Sequence, residues 1–194
     1  MPSPPLLLAS SSPARRLLLT RLGLPFDCES PDVDESPLPG ETAAALAGRL
    51  ARSKALALAT QYPQHLIIGA DQTLLLDEQI LGKPGHHEAA RKQLRALSGR
   101  EVTFHTGLCL LNTASGRLQL TVEPFAVAFR LLDDEQIERY LLADTPYGCA
   151  GSFKSEARGI TLFRHWQGRD PNSLVGLPLM ALTDFLLAEG IRLP

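Results

Sequence analysis

A chain of 194 residues, 44% of them hydrophobic, is long enough for one domain of ordinary to large size, or for two lobes sharing a cleft, and should fold alone. Its 19 basic and 21 acidic residues leave a net charge of −2, which excludes a global field drawing the protein to nucleic acid or to an anionic membrane. Any phosphate binding must therefore be local.

No run approaches the eighteen or so apolar residues of a membrane span, and the nearest, Leu177 to Leu187, carries Asp184. The start, MPSPPLLLASSSPARR, has no basic n-region, and its apolar run from Leu6 to Ala9 is too short for a signal peptide. Cys28, Cys109 and Cys149 are odd in number, widely spaced and set among apolar neighbours. They read as buried reduced thiols, so a cytoplasmic location is expected.

In chain order, Leu6 to Ala9 reads as a short buried strand and Ser10 to Pro13 as the turn after it. Ser12 and Pro13 carry a helix-start signature, an N-cap serine followed by proline at the first helical position, and the helix should run through Leu17, Leu18 and Leu22 to a stop at Gly23. Such a turn gathers free backbone N–H groups and the positive end of a helix dipole, and Arg15 and Arg16 add guanidinium groups. The stretch reads either as an anion cradle or as a capped surface helix with solvated arginines. Phe26 to Ser30 should be a second strand, and the loop between Pro31 and Pro37 holds Asp32, Asp34 and Glu35. Clustered acids in a loop are usually solvated, yet oxygen-only clusters are also what Mg²⁺ or Mn²⁺ select. Glu41 to Ala59 is an Ala/Leu-rich helix whose polar face carries Arg49, Arg52 and Lys54, where spacing alone favours solvation for each.

The central stretch HLIIGADQTLLLDEQILGKP, from His65 to Pro84, organises the rest. The apolar run Leu66 to Ile68 ends at Gly69-Ala70 and should deliver Asp71 to the end of a buried strand, with a second apolar run from Thr73 to Leu76. A carboxylate there must be exposed in a cleft, hydrogen-bonded or holding a metal. Gly82-Lys83-Pro84 then puts a cation on a rigid turn. The plainer reading of these residues is a β-hairpin with an edge Asp and a solvated Lys.

Beyond it, His87 to Leu97 predicts a helix, Glu101 to Asn112 and Leu118 to Arg130 a long antiparallel hairpin with Pro124 at an edge or bulge, and Asp133 a helix ending near Leu142. Tyr147 to Phe153 and Ile160 to Phe163 read as strands, Gly168 to Asn172 as a loop, and Leu179 to Glu189 as a final helix. The order predicts an α/β protein with parallel pairs early and a hairpin later.

Several mechanisms drop out. Lys83 precedes Pro84 and lacks the upstream glycine of a P-loop, and no GxGxxG opens a helix. His65, His86, His87, His105 and His165 form no i, i+4 metal pair, and there is no GxSxG elbow. What remains is the Ser10 to Arg16 cradle, the acids Asp34, Glu35 and Asp71, and the lysines Lys54 and Lys83. Cations for phosphates and carboxylates for a metal and a water suggest metal-assisted attack on a polyphosphate.

In order and spacing, SSSPARR, PDVDE, the Lys54 helix, GADQ, GKP, the long hairpin, AGSFKSE and GRDPNSLVGLPL resemble the Maf family of nucleotide pyrophosphatases over essentially the whole chain. The resemblance implies a single domain with a two-lobed α/β fold similar to the inosine triphosphate pyrophosphatases, built on a mixed sheet around a central cleft. It implies hydrolysis of a nucleoside triphosphate to the monophosphate and pyrophosphate, a divalent cation, a cytoplasmic location and a homodimer. The family's phosphate-binding positions fall on Ser10, Arg15, Arg16, Lys54 and Lys83, its acidic, metal-holding positions on Glu35 and Asp71, and its proton acceptor on Asp71. Gln72 and Glu156 resemble the subgroup acting on 7-methyl-GTP, as opposed to the one acting on thymidine and uridine triphosphates. A carboxylate such as Glu156 can stabilise the cationic 7-methylguanine and accept from its N1–H and amino group. Ala14 departs from the pattern, since that subgroup resembles a tryptophan there and alanine cannot stack on the base. Two other classes compete: a nucleotide-binding regulator of septation, and a phosphohydrolase using the same groups on another bond.

Overall fold

The structure, a computed structural model, describes residues 4–77 and 79–193; residues 1–3, which open the stretch weighed as a signal peptide, and residues 78 and 194 lie outside it. The chain alternates β1 (Leu6–Ala9), α1 (Pro13–Thr20), β2 (Phe26–Glu29), α2 (Ala43–Ala57), β3 (Leu66–Leu76), β4 (Gln79–Leu81) and α3 (His87–Leu97). It continues through β5 (Glu101–Asn112), β6 (Leu118–Phe129), α4 (Asp134–Asp144), β7 (Phe163–Gly168), α5 (Asn172–Val175) and α6 (Leu179–Ala188). Helix starts follow local chemistry. The side chains of Ser12, Thr42 and Asp133 cap α1, α2 and α4 by accepting from the backbone N–H of Arg15, Ala45 and Gln136.

Among the described residues the strands form one mixed sheet in the order β2-β1-β3-β5-β6-β7, with β4 added to β3. β1 pairs parallel with β2 and β3, and the remaining pairings are antiparallel. Pro124 lies on the part of β6 that β7 leaves uncovered, where a missing N–H is tolerated. One core lobe has α1 and α6 on one face of the sheet, with Leu8, Ile68, Leu108 and Leu182 between them, and α2 on the other, over Ile67 and Cys109. The second lobe packs α3 and α4 on the far ends of β3, β5 and β6 around Phe104, Phe125, Phe129 and Phe153. No helix among the described residues is long and apolar enough to cross a membrane.

Four expectations change. β3 is continuous from Leu66 to Leu76, so Asp71 sits in mid-strand and not at its end. Tyr147 to Phe153 is not a strand: a 3₁₀ turn at Ala150–Ser152 interrupts it, with Gly151 and Ser152 both at positive φ. The predicted strand at Ile160 to Phe163 is a second 3₁₀ turn, Arg158–Leu162, and β7 starts only at Phe163. Cys28 is exposed, because it lies on the edge strand β2; Cys109 is buried and Cys149 half-buried.

Candidate active site

The site exists because β3 outruns its neighbour. β1 pairs with β3 only as far as Ala9 opposite Gly69, and β4 takes up the same edge of β3 only from Leu74. From Ala70 to Thr73 that edge is open, and Asp71 lies in the gap. Asp71 is thus at the end of a pairing, while the strand itself continues. The chain leaving β1 supplies Ser10 to Arg15 on one side, and the chain leaving β4 supplies Lys83 on the other. The resulting cleft, about 640 Å³, is lined by Ser10, Ala14, Arg15, Glu35, Lys54, Asp71, Gln72, Lys83 and Glu156, among others.

Helix α2 provides the fourth wall. Gly69 and Gly107, the latter directly opposite Asp71, lie under it so closely that an added Cβ would stand 2.0 Å from the Ala51 carbonyl oxygen and 2.1 Å from that of Ala47. Two residues along the same face of β3, the Thr73 hydroxyl donates to the Ala43 carbonyl at 2.9 Å. This close docking brings Lys54 down to the sheet. Its ammonium donates to Asp71 Oδ1 at 2.6 Å and contacts Glu35 Oε1 at 2.6 Å. Lys54 and Asp71 are each 8% exposed, so Lys54 is a buried bridging cation and not the solvated helix residue its spacing suggested. Arg52 remains exposed.

Of the three loop acids only Glu35 lines the cleft; Asp32 is exposed and Asp34 accepts from the Ser36 N–H at 2.9 Å. The loop is tied to α2 by Arg49, whose Nε and Nη2 donate to the two Glu41 oxygens at 2.6 and 2.8 Å and whose Nη2 also donates to the Ser36 carbonyl at 2.9 Å. The Lys54 ammonium holds the Glu35 carboxyl below the usual carboxylate range, with Lys83 and Arg15 adding to the effect.

Arg15 donates from Nε to the Gly176 carbonyl at 2.8 Å, and its Nη1 stands 3.5 Å from Ser10 Oγ. Burial pushes its guanidinium pKa below the ordinary value, and Asp71 and Glu35 pull it back up. Gly176 is at φ 113°, where a side chain would be strained as well as crowding Arg15. The Gln72 amide donates to the carbonyls of Ser173 and Leu174 at 2.7 and 3.1 Å, so α5 anchors two cleft residues at once. Asp170 in turn anchors α5 and α6: it is 1% exposed and accepts from Asn172 N and Met180 N, each at 2.8 Å. Ala14 and Glu156 line the cleft, Glu156 at its exposed rim. Arg16 is exposed and outside the lining.

Sequence reasoning did not find α5 as an anchor, Arg49 as the tie of the acidic loop, or Gly69 and Gly107 as the seat of α2. A glycine inside a strand pattern is the signal that could have given the last of these.

Two carboxylates sharing a cation can accept a proton and can hold a hard metal; the cations and hydroxyl opposite them fit phosphate oxygens. Among the described residues no group of three or more His, Cys, Asp or Glu side chains could hold a metal by itself. The oxygen donors Glu35 and Asp71 suit a cation of the Mg²⁺ type, which takes one or two carboxylates and fills its sphere with phosphate oxygens and water.

The sequence model described as Maf-like protein matches residues 5–189. A protein of Pseudomonas syringae pv. tomato named 7-methyl-GTP pyrophosphatase is 61% identical over 191 residues, covering 98% of this chain and 100% of that protein. Proteins of the same name from Alcanivorax borkumensis and Pseudomonas aeruginosa are 59% and 58% identical, covering 99% and 98% of this chain and 98% and 100% of their own lengths.

Proposed function

Since the chain belongs to the Maf family, we propose that it is a nucleoside triphosphate pyrophosphatase whose preferred substrate is 7-methyl-GTP, cleaved to 7-methyl-GMP and pyrophosphate. The observation that carries the reading is the buried Lys54 bridge between Asp71 and Glu35, facing Arg15 and Lys83 across one cleft.

Arg15, Lys54 and Lys83 bind the phosphate chain, and the Ser10 hydroxyl adds a donor at the turn. Asp71 takes the proton of the attacking water as its oxygen bonds to the α-phosphorus. The bond from that phosphorus to the bridging oxygen breaks, and pyrophosphate leaves with its charge balanced by the cations. A divalent cation, Mg²⁺ or Mn²⁺, would be held by Glu35 and Asp71 and would supply charge stabilisation on the phosphates. Glu156 at the rim pairs with the cationic base. Ala14 offers no stacking surface, which loosens discrimination, since a cation–π contact is worth about 0.5–2 kcal/mol. Arg16 reaches only phosphate that protrudes from the cleft, so Arg16→Ala should cost less than Arg15→Ala. The proposal includes a cytoplasmic location and a homodimer, both supported by the family resemblance, and sedimentation at several concentrations checks the latter.

The deciding experiment is steady-state turnover of 7-methyl-GTP, GTP, UTP and dTTP with Mg²⁺ or Mn²⁺, with and without EDTA, and product identification. Expected are pyrophosphate release, loss of turnover on chelation, and the highest kcat/KM for 7-methyl-GTP. Faster UTP or dTTP cleavage would move the protein to the other subgroup. Release of orthophosphate would overturn the bond assignment, and no turnover at all would favour a binding protein.

A further inference from the structure

The phosphate-facing Lys83 is exposed, on a turn with no regular structure of its own whose next residue, Pro84, is buried, so something must hold that turn. The adjoining rim segment, Gly148 to Phe153, includes Gly151 and Ser152 at φ 77° and 60°, a conformation that non-glycine residues rarely adopt. One side chain on α3 joins the two. Gln93 Nε2 donates to the Gly82 carbonyl at 2.9 Å, and its Oε1 accepts from the Ser152 hydroxyl at 2.6 Å. The roles are fixed by chemistry, because the Gly82 carbonyl can only accept and must therefore face the amide nitrogen. Ser152 is fully buried, and among the described residues its hydroxyl has Gln93 as its one hydrogen-bond partner. A backbone bond from Gly85 N to the Tyr147 carbonyl at 2.9 Å ties the same two segments at their other end. Gln93 itself is absent from the cleft lining.

We infer that Gln93 is a positioning residue: its two hydrogen bonds clamp the Gly82–Pro84 turn to the Gly148–Phe153 rim and thereby fix Lys83 over the phosphate end of the cleft. The inference rests on the reading of Lys83 as a phosphate ligand. Gln93 lies outside the cleft lining, so its effect on phosphate binding runs through Lys83, and that makes the two residues energetically dependent.

The test is a double-mutant cycle with Gln93→Leu and Lys83→Ala, read by calorimetric binding of inorganic pyrophosphate and by kcat/KM on 7-methyl-GTP. Each single change should weaken pyrophosphate binding by about fivefold to tenfold, the worth of one or two hydrogen bonds or a charge contact. The double variant should match Lys83→Ala. An undiminished effect of Gln93→Leu in the Lys83→Ala background, or no effect in a folded single variant, would overturn the clamp. Should Gln93→Leu fail to fold, Ser152→Gly replaces it in the cycle: it deletes the hydroxyl while relieving the backbone, and a smaller loss that vanishes beside Lys83→Ala is expected. If 7-methyl-GTP is not cleaved, the substrate reading falls while the pyrophosphate arm still decides the clamp. A wild-type protein that binds no pyrophosphate removes the phosphate reading and the clamp with it.

Discussion

Asp71 and Lys54 are each nearly out of water, and each makes the other tolerable there. Removing one charge is therefore not equivalent to removing the other. Asp71→Asn keeps the shape and leaves Lys54 paired with Glu35, so the fold should survive while kcat on 7-methyl-GTP falls by about 10²–10⁴-fold, the usual cost of a lost general base. Lys54→Met leaves the Asp71 carboxylate in a cleft wall without its hydrogen-bonded cation, and should lower stability by about 1–3 kcal/mol as well as activity. Urea titration beside kinetics separates the two variants; a stable, active Asp71→Asn protein would refute the base assignment. The sequence names these residue types but not their partnership. In a helix reading AAALAGRLARSKALA, small side chains surround every face, so the face that meets the sheet is not declared by its hydrophobic pattern.

Helix α2 can rest on the sheet only because Gly69 and Gly107 offer it bare backbone. Gly69→Ala or Gly107→Ala must push the helix away, since the obstacle in each case is a rigid carbonyl and not a side-chain tip. A cost of about 1–3 kcal/mol or more is expected from such overpacking. Because Lys54 rides on that helix, kcat/KM should fall further than the stability loss alone explains. Unchanged activity in a folded Gly107→Ala protein would show that α2 height does not control the bridge. At this scale the long hairpin and the capped starts of α1 and α4 are legible, because alternation and cap residues are local signals. The rim at Tyr147 to Phe153 is not: its apolar spacing resembles a strand, and neither the positive φ of Ser152 nor its hydrogen bond to the distant Gln93 is announced by a neighbouring residue.

For the molecule as a whole, the shifted carboxyls all lean one way. Glu41 beside Arg49 is lowered from 4.5 to about 2, and Asp77 beside Arg100 and Asp134 beside Arg95 are lowered as well. A folded-state pKa below the unfolded one means that the unfolded chain binds more protons in between. The stability these groups contribute is complete above about pH 4.5 and is lost as pH falls toward about 2 for Glu41. Tm should decline through that window. Glu41→Gln should lower Tm at neutral pH, loosening the tie of the acidic loop through Arg49, and its difference from the wild type should shrink as pH drops from 4.5 to 2. A difference that is constant with pH would show that Glu41 contributes packing and not charge. The sequence suggested two lobes around a cleft; that β3 and β5 thread both cores follows from strand lengths that no local signal sets.

The open edge of β3 also sets an order in time. The β5–β6 hairpin closes over a short turn, whereas β1 must find β3 with Leu6 opposite Leu66, a pairing that waits on the closure of a long loop. Asp71 lies on the strand where the two events meet. A refolding chain therefore acquires its antiparallel half before the arginine turn arrives beside the acid, and stays chemically silent until its most distant strands have met.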